Sequence, residues 1–322
     1  MIAAERIGLG DIGYQAHPEV WVLMAGIVAI AVYMKRVLEP KAVAAGHPPM
    51  TRHQQGWYLA AALSLWVVSD WPVHDVAEEY LYSVHMLQHM FISMLVPAMF
   101  LLALPPWLFL LLMPEGSRSY RLLRRASAPL VAGLTFNALT AFLHWTDVVE
   151  ASARYGPLHF SLHLIIFLSG LLMWMPVLSP VTSWRLAPLN QCIYLFMMSI
   201  VPTVPGGWLV FANDVVYRHY DTPQRLWGID ALSDQQAAGA IMKLVGGFLL
   251  WGIIVTIFTK WAGAEMRRDE EERRARQKAA RLAKAAAAEQ APAAGQSDEP
   301  LLTFEHVAEE FARTPAPTEP RT

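Results

Sequence analysis

The stretch YLYSVHMLQHMFISMLVPAMFLLALP, residues 80–105, is apolar over enough length to cross a bilayer, yet it carries His85 and His89 four positions apart. Crossing the hydrocarbon core takes about 20 mostly apolar residues as a helix, and a helix satisfies its own backbone polar groups in lipid. An imidazole facing lipid is costly, so this pair is expected to face the protein interior or a wet cavity. Fold and function both turn on what those two side chains meet.

Working outward, the composition agrees with a membrane chain. The 322 residues are 55% hydrophobic and 16% charged, whereas soluble chains carry about a quarter charged residues. Much of the charge lies toward the C-terminus. The single cysteine, Cys192, excludes an internal disulfide and any CxxC metal or redox motif. No basic stretch with a short apolar core and a small-residue cleavage site opens the chain, so the apolar run from Val20 reads as an uncleaved anchor. No repeat at a fixed period is visible.

Seven runs qualify as spans, near 20–38, 56–73, 81–104, 128–149, 157–178, 188–212 and 235–260. Pro105 and Pro106 are expected to end the third helix, leaving PPWLFLLLM (105–113) as an interfacial segment. Lys35, Arg36, Lys41 and Arg52 crowd one connection, and Arg118, Arg121, Arg124 and Arg125 crowd another. Connections on the opposite side hold only Arg154, Arg218 and Arg225, with Arg6 ahead of the first span. Because cytoplasmic loops carry the excess of lysine and arginine, the expected fold is all-α. It is a polytopic membrane bundle of seven transmembrane helices, N-terminus outside and C-terminus inside.

The expected organisation is an outer N-terminal segment over 1–19, a seven-helix transmembrane domain over 20–262 and a cytoplasmic tail over 263–322. In the tail, 265–290 reads as a charged, alanine-rich helix. APAAGQSDEP (291–300) and RTPAPTEPRT (313–322) read as disordered, with LLTFEHVAEEFA (301–312) as an amphipathic island between them.

On that topology the histidines converge. His85 and His89 lie at the outer end of the third span, His144 in the last turns of the fourth, and His159 and His163 at the outer start of the fifth. At about 1.5 Å of rise per residue, all five fall within roughly 3–12 Å of the outer boundary. Residues four apart share a helix face, and spans joined by short loops are neighbours. Neutral imidazole is the commonest protein metal ligand, and pairs at i, i+4 present two ring nitrogens to one ion. Met86, Met90 and Met94, with Met173 and Met175 deeper, add soft thioethers suited to Cu(I). The bland alternatives are interhelical hydrogen bonding for the histidines and gap-filling for the methionines.

Other polar residues carry two readings each. Asp234 and Gln235 open the seventh span. Asp234 is either a carboxylate favoured by the helix dipole or a ligand, directly or by orienting an imidazole. Asp147 invites the same choice. Lys243, deep in the same span, is either a snorkelling or paired cation or a functional group; Gly239, Gly246 and Gly247 beside it indicate close helix packing. Asn137 and LNQC (189–192) read as interhelical hydrogen bonds. His17, His74 and His219 read as solvated surface histidines, and His47 and His53 lie on the inner side.

The segments SVHMLQHMFISMLVPAMFLLALP, HWTDVVEASARYGPLHFSLHLIIFLSGLLMWMPV and DQQAAGAIMKLVGG resemble the signature segments of the CtaG family of multi-span bacterial cytochrome c oxidase assembly factors. The resemblance runs over roughly 55–260. Its histidine pattern falls on His85, His89, His144, His159 and His163, and its acidic-glutamine pattern on Asp234 and Gln235. Lys243 departs from it, standing where the family carries an aromatic. The resemblance implies maturation of a haem–copper oxidase in the bacterial plasma membrane, by binding copper for delivery, with zinc or haem behind copper as the group bound. Expected partners are oxidase subunits, the lipid bilayer and a periplasmic copper donor, with no nucleic acid.

The expected role is non-enzymatic. The alternatives are a haem-binding electron-transfer protein, a metal-dependent membrane hydrolase and a copper channel. Axial haem histidines belong on helices facing each other across the ring, not in adjacent i, i+4 pairs. A hydrolase has no HExxH here, and a channel needs polar groups at successive depths, where only Lys243 stands out.

Overall fold

The structure, a computed structural model, describes residues 5–290 and 303–313. The disorder expected over 291–300, and over 313–322 apart from Arg313, lies outside those residues. The chain is almost wholly helical: α1 (Pro18–Ala44), α2 (Arg52–Ser69), α3 (Tyr82–Ala103), α4 (Pro106–Leu112), α5 (Arg118–Ala126), α6 (Pro129–Leu143), α7 (Thr146–Arg154), α8 (Gly156–Leu178), α9 (Pro188–Val210), α10 (Ala231–Gln290) and α11 (Phe304–Arg313). Two three-residue strands, β1 (Glu5–Ile7) and β2 (Gln224–Leu226), pair in parallel.

Helices α1, α3, α8, α9 and α10 are long and apolar enough to cross a membrane. The pair α5 and α6, bent by 67° at their junction, makes a sixth if it is one span. The second expected span forms α2, which is long enough but too polar to be among these.

Local sequence sets the boundaries. Proline stands in the first turn of α1, α4, α6, α8 and α9, where its missing N–H costs nothing and its fixed φ suits a helix start. Thr51 and Gln54 form a reciprocal capping box on α2. The Pro105–Pro106 break falls where expected, between α3 and α4. The fourth span ends earlier than the sequence predicts. Helix α6 stops at Leu143, because Trp145 turns extended before α7 begins. His144 therefore caps the end of α6 instead of occupying its last turn.

Helix α3 lies innermost: 67% of its apolar window is buried, against 11% for α1. Trp21, Val22, Val28 and Ile30 of α1 are correspondingly exposed, as suits a lipid-facing helix. Pro97 shapes the centre of α3. It has no N–H to give the Ser93 carbonyl four residues back, and the helix widens just upstream into a π-turn over Phe91–Leu95. Helix α8 packs into that widening. A Cβ on Gly170 would stand 2.0 Å from the Ser93 carbonyl oxygen, and Trp174 Nε1 donates to the Met94 carbonyl at 2.7 Å. Lipid supplies no hydrophobic drive between helices, so close approach and hydrogen bonds of this kind hold them together. Helices α9 and α10 touch in the same way, with a Cβ on Gly239 only 2.5 Å from the Gly206 carbonyl. Gly247 meets nothing.

Residues Met1–Ala262 and Gly263–Thr322 are two compact units. In the second, Glu270–Arg274 and Glu272–Arg276 pair one turn apart on the exposed helix surface, supporting the charged helix locally.

Candidate functional site

The i, i+4 spacing does what helix geometry requires. The His85 and His89 rings lie 5.2 Å apart on α3, and the His159 and His163 rings 4.1 Å apart on α8. The close contact at Gly170 brings the two helices together, so His89 and His163 come to 5.1 Å and His85 to 5.8 Å from both His159 and His163. His144 is 6.1 Å from His89. The five histidines are one cluster.

The sequence reading missed its acid. Glu78 lies in the helical segment Val76–Tyr80 before α3. Its Oε1 is 3.1 Å from His85 Nδ1 and 3.0 Å from His159 Nε2. The second contact is an ion-pair distance without hydrogen-bond alignment. Burial pushes the Glu78 carboxyl up, but the two imidazoles outweigh it and hold the group well below the usual carboxylate range. The signal available in sequence was an acid seven residues before His85, in the connection leading into the third span.

Two sets of donors sharing His163 have all their ligand atoms within 4.8 Å: His85, His89 and His163, and Glu78, His159 and His163. His163 Nε2 is enclosed with no hydrogen-bond partner among the described residues, an orphan that a metal would satisfy. Donors around a tetrahedral ion with metal–nitrogen distances near 2.0 Å stand about 3.3 Å apart, so small ring rotations would complete a site. Ser152 Oγ lies 3.1 Å from His159 Nδ1 and orients that ring.

Asp234 stands outside both sets. Its carboxylate accepts the Tyr82 N–H at 2.6 Å, the Ser83 N–H at 3.2 Å and the Ser83 hydroxyl. It therefore caps the start of α3 from a distant helix. Gln235 accepts the Val216 and Tyr217 N–H groups and donates to the Tyr217 carbonyl, while the Tyr217 hydroxyl donates to the His144 carbonyl at 2.8 Å. Gln235 thus positions His144 through Tyr217. Asp147 is exposed on α7 and away from the donor sets. Lys243 donates to Thr203 Oγ1 at 2.5 Å and to the Ser199 carbonyl at 3.5 Å, next to the Val201–Pro202 break in α9. Met86 lies 3.4 Å from His144 Nε2 through its sulfur, and Met90 lines a chamber beside His89.

Three histidines read as solvated are tied into the structure instead. His219 Nε2 is 2.9 Å from the Glu78 carbonyl oxygen. His74 accepts from Gln88 Nε2 at 3.1 Å and stacks edge-on with His17 and His159; burial holds it below its ordinary value. His17 Nε2 lies 3.1 Å from the buried Asp75. The extended outer segments fold back over the helix ends, which no pattern along the sequence announces.

His17 gives a pH prediction. Burial lowers it, but Asp75 and Glu19 outweigh that and raise it above the ordinary value. Its tie to Asp75 is then fully present below about pH 6.5 and lost as pH rises through the raised folded value. Amide exchange over 12–20, corrected for intrinsic rates, is expected to quicken between about pH 6 and 8, and His17→Gln to abolish that change.

Fold and site together define a polytopic helical membrane protein with an imidazole–carboxylate cluster at one end of its central helices. A family model described as cytochrome c oxidase caa3 assembly factor (Caa3_CtaG) matches residues 26–264. The chain belongs to this family, which indicates an assembly factor for cytochrome c oxidase. No protein of curated function and no solved structure matches the chain.

Proposed function

We propose that this protein binds copper through His85, His89, His159 and His163, with Glu78 as carboxylate donor and His144 beside them, and hands it to a haem–copper oxidase during assembly. The observation that carries the reading is the orphaned His163 Nε2 at the point where both donor sets meet. Imidazole suits copper among the borderline ions, and the oxidase whose assembly the family serves needs copper. The role is carriage, not catalysis. Oxidase subunits receive the metal, and a periplasmic donor supplies it.

The arrangement in the bacterial plasma membrane is seven spans, α1, α2, α3, α6, α8, α9 and α10, with the amino end outside. Support comes from charge: Lys35, Arg36, Lys41 and the arginines of α5 lie at the helix ends opposite the histidines, as cytoplasmic loops require.

Metal analysis and an absorption spectrum of the detergent-purified protein, beside His85→Ala/His89→Ala, test the reading. The expected result is about one Cu(II) per chain on loading, lost in the folded variant. Because the ligands must be neutral imidazoles, protons compete with the metal and affinity falls as pH drops. A Soret band would move the case to haem, although the imidazoles pack ring against ring rather than facing each other across a macrocycle. No uptake on copper loading would overturn the proposal.

A further inference from the structure

His144 and Met86 meet in a way that ordinary hydrogen bonding does not explain. His144 Nδ1 is 2.6 Å from the Thr140 carbonyl oxygen, which can only accept, so the neutral ring carries its proton on Nδ1. Nε2 is then left with a lone pair, and it points at the Met86 sulfur 3.4 Å away. A thioether has no proton to give. Two electron-pair donors thus face each other with nothing between them, on side chains exposed by only 4% and 1%.

The separation suits a shared ion. With metal–nitrogen and metal–sulfur distances near 2.0 and 2.3 Å, 3.4 Å between the donors corresponds to an angle at the metal of about 104°, close to tetrahedral. The imidazole is already oriented, by Thr140 at its ring and by Tyr217 at its carbonyl. Further thioethers are at hand. Met86, Met90 and Met94 repeat every four residues along one face of α3. Met90 and Met94 line a chamber with His89 and His144, and Met198 and Met242 stand across it. The missing side chain of Gly246 leaves the Met90 and Met94 sulfurs 3.5 and 3.8 Å from where its Cβ would lie.

We infer that His144 and Met86 are the core of a second metal site, separate from the two donor sets that share His163 and selective for a soft monovalent cation of the Cu(I) class, with Met90 as a further thioether one turn along α3. His144 does not belong to the donor sets around His163. The chemistry differs in kind: the outer sets offer imidazoles, one of them together with the Glu78 carboxylate, and suit a borderline divalent ion, whereas nitrogen with thioether selects Cu(I). The inference extends the proposed copper role, but its test stands apart from it.

The test is Ag(I) titration of the detergent-purified full chain in chloride-free buffer, with X-ray absorption of the bound ion. Ag(I) is a soft monovalent probe that needs no reductant. The expected result is a sulfur scatterer in the Ag(I) shell, reduced in Met86→Leu together with the loss of most of the affinity, while Zn(II) uptake is unchanged. His85→Ala/His163→Ala is expected to abolish Zn(II) uptake and leave sulfur-bound Ag(I) in place. Selenomethionine-labelled protein, in which selenium replaces sulfur as the scatterer, supplies the same readout without a substitution. Sulfur-bound Ag(I) in a protein that takes up no divalent ion would support this site while overturning the outer one. Ag(I) bound without sulfur, or with the same affinity in Met86→Leu, would overturn the inference.

Discussion

Asp234→Ala is expected to lower the stability of the folded bundle by about 3 kcal/mol or more, at about 1–3 kcal/mol for each enclosed donor left unpaired, without reducing metal bound per folded chain. The carboxylate receives the Tyr82 and Ser83 N–H groups and the Ser83 hydroxyl, all at the start of α3. Those N–H groups belong to the first turn, which has no carbonyl partners within its own helix, and the negative charge there also meets the positive end of the helix dipole. Removing it strands them at a position where Asp234 is 3% exposed and water does not replace it. Asp234→Asn keeps one acceptor and should retain part of the stability. Thermal unfolding in detergent, with copper content measured on the folded fraction, checks both halves. Loss of metal with unchanged stability would instead make Asp234 a ligand.

Gly170→Ala should have an effect of the same order through a different cause. The added Cβ would lie 2.0 Å from the Ser93 carbonyl oxygen, a backbone atom in the middle of α3 that cannot rotate away. Helices α3 and α8 must separate, and overpacking of this kind costs about 1–3 kcal/mol, here expected at the upper end. The consequence reaches the site, because this contact sets the 5.1 Å spacing of His89 and His163. Metal affinity should therefore fall with the melting temperature. Gly246→Ala is the control: its Cβ would sit 3.5 Å from the Met90 sulfur, an ordinary contact, and should be nearly neutral. Equal melting temperatures for the two variants would count against the packing account.

The histidine cluster was legible because its members obey a short-range rule. Spacing of four on a helix puts His85 with His89, and His159 with His163, whatever the helices pack against, and the apolar runs around them are long enough to bring both pairs to one depth. The end of α3 was legible for the same reason, since Pro105 and Pro106 act through their own backbone. The limits of such rules are visible at His144, which the continuous apolar pattern placed inside a helix although α6 stops at Leu143.

What the sequence by itself determined is the membrane class of the chain, its family segments and the two imidazole pairs, because length, hydropathy and helical period are properties of neighbours along the chain. Only the tertiary structure decided that Glu78 joins His85 and His159, that Asp234 caps the start of α3 from a distant helix, and that His144 faces the sulfur of Met86. Each of those depends on groups from separate segments meeting at hydrogen-bond or van der Waals range. Such meetings are set by Gly170 against Ser93 and by the loops folded over the helix ends, and no local period encodes them.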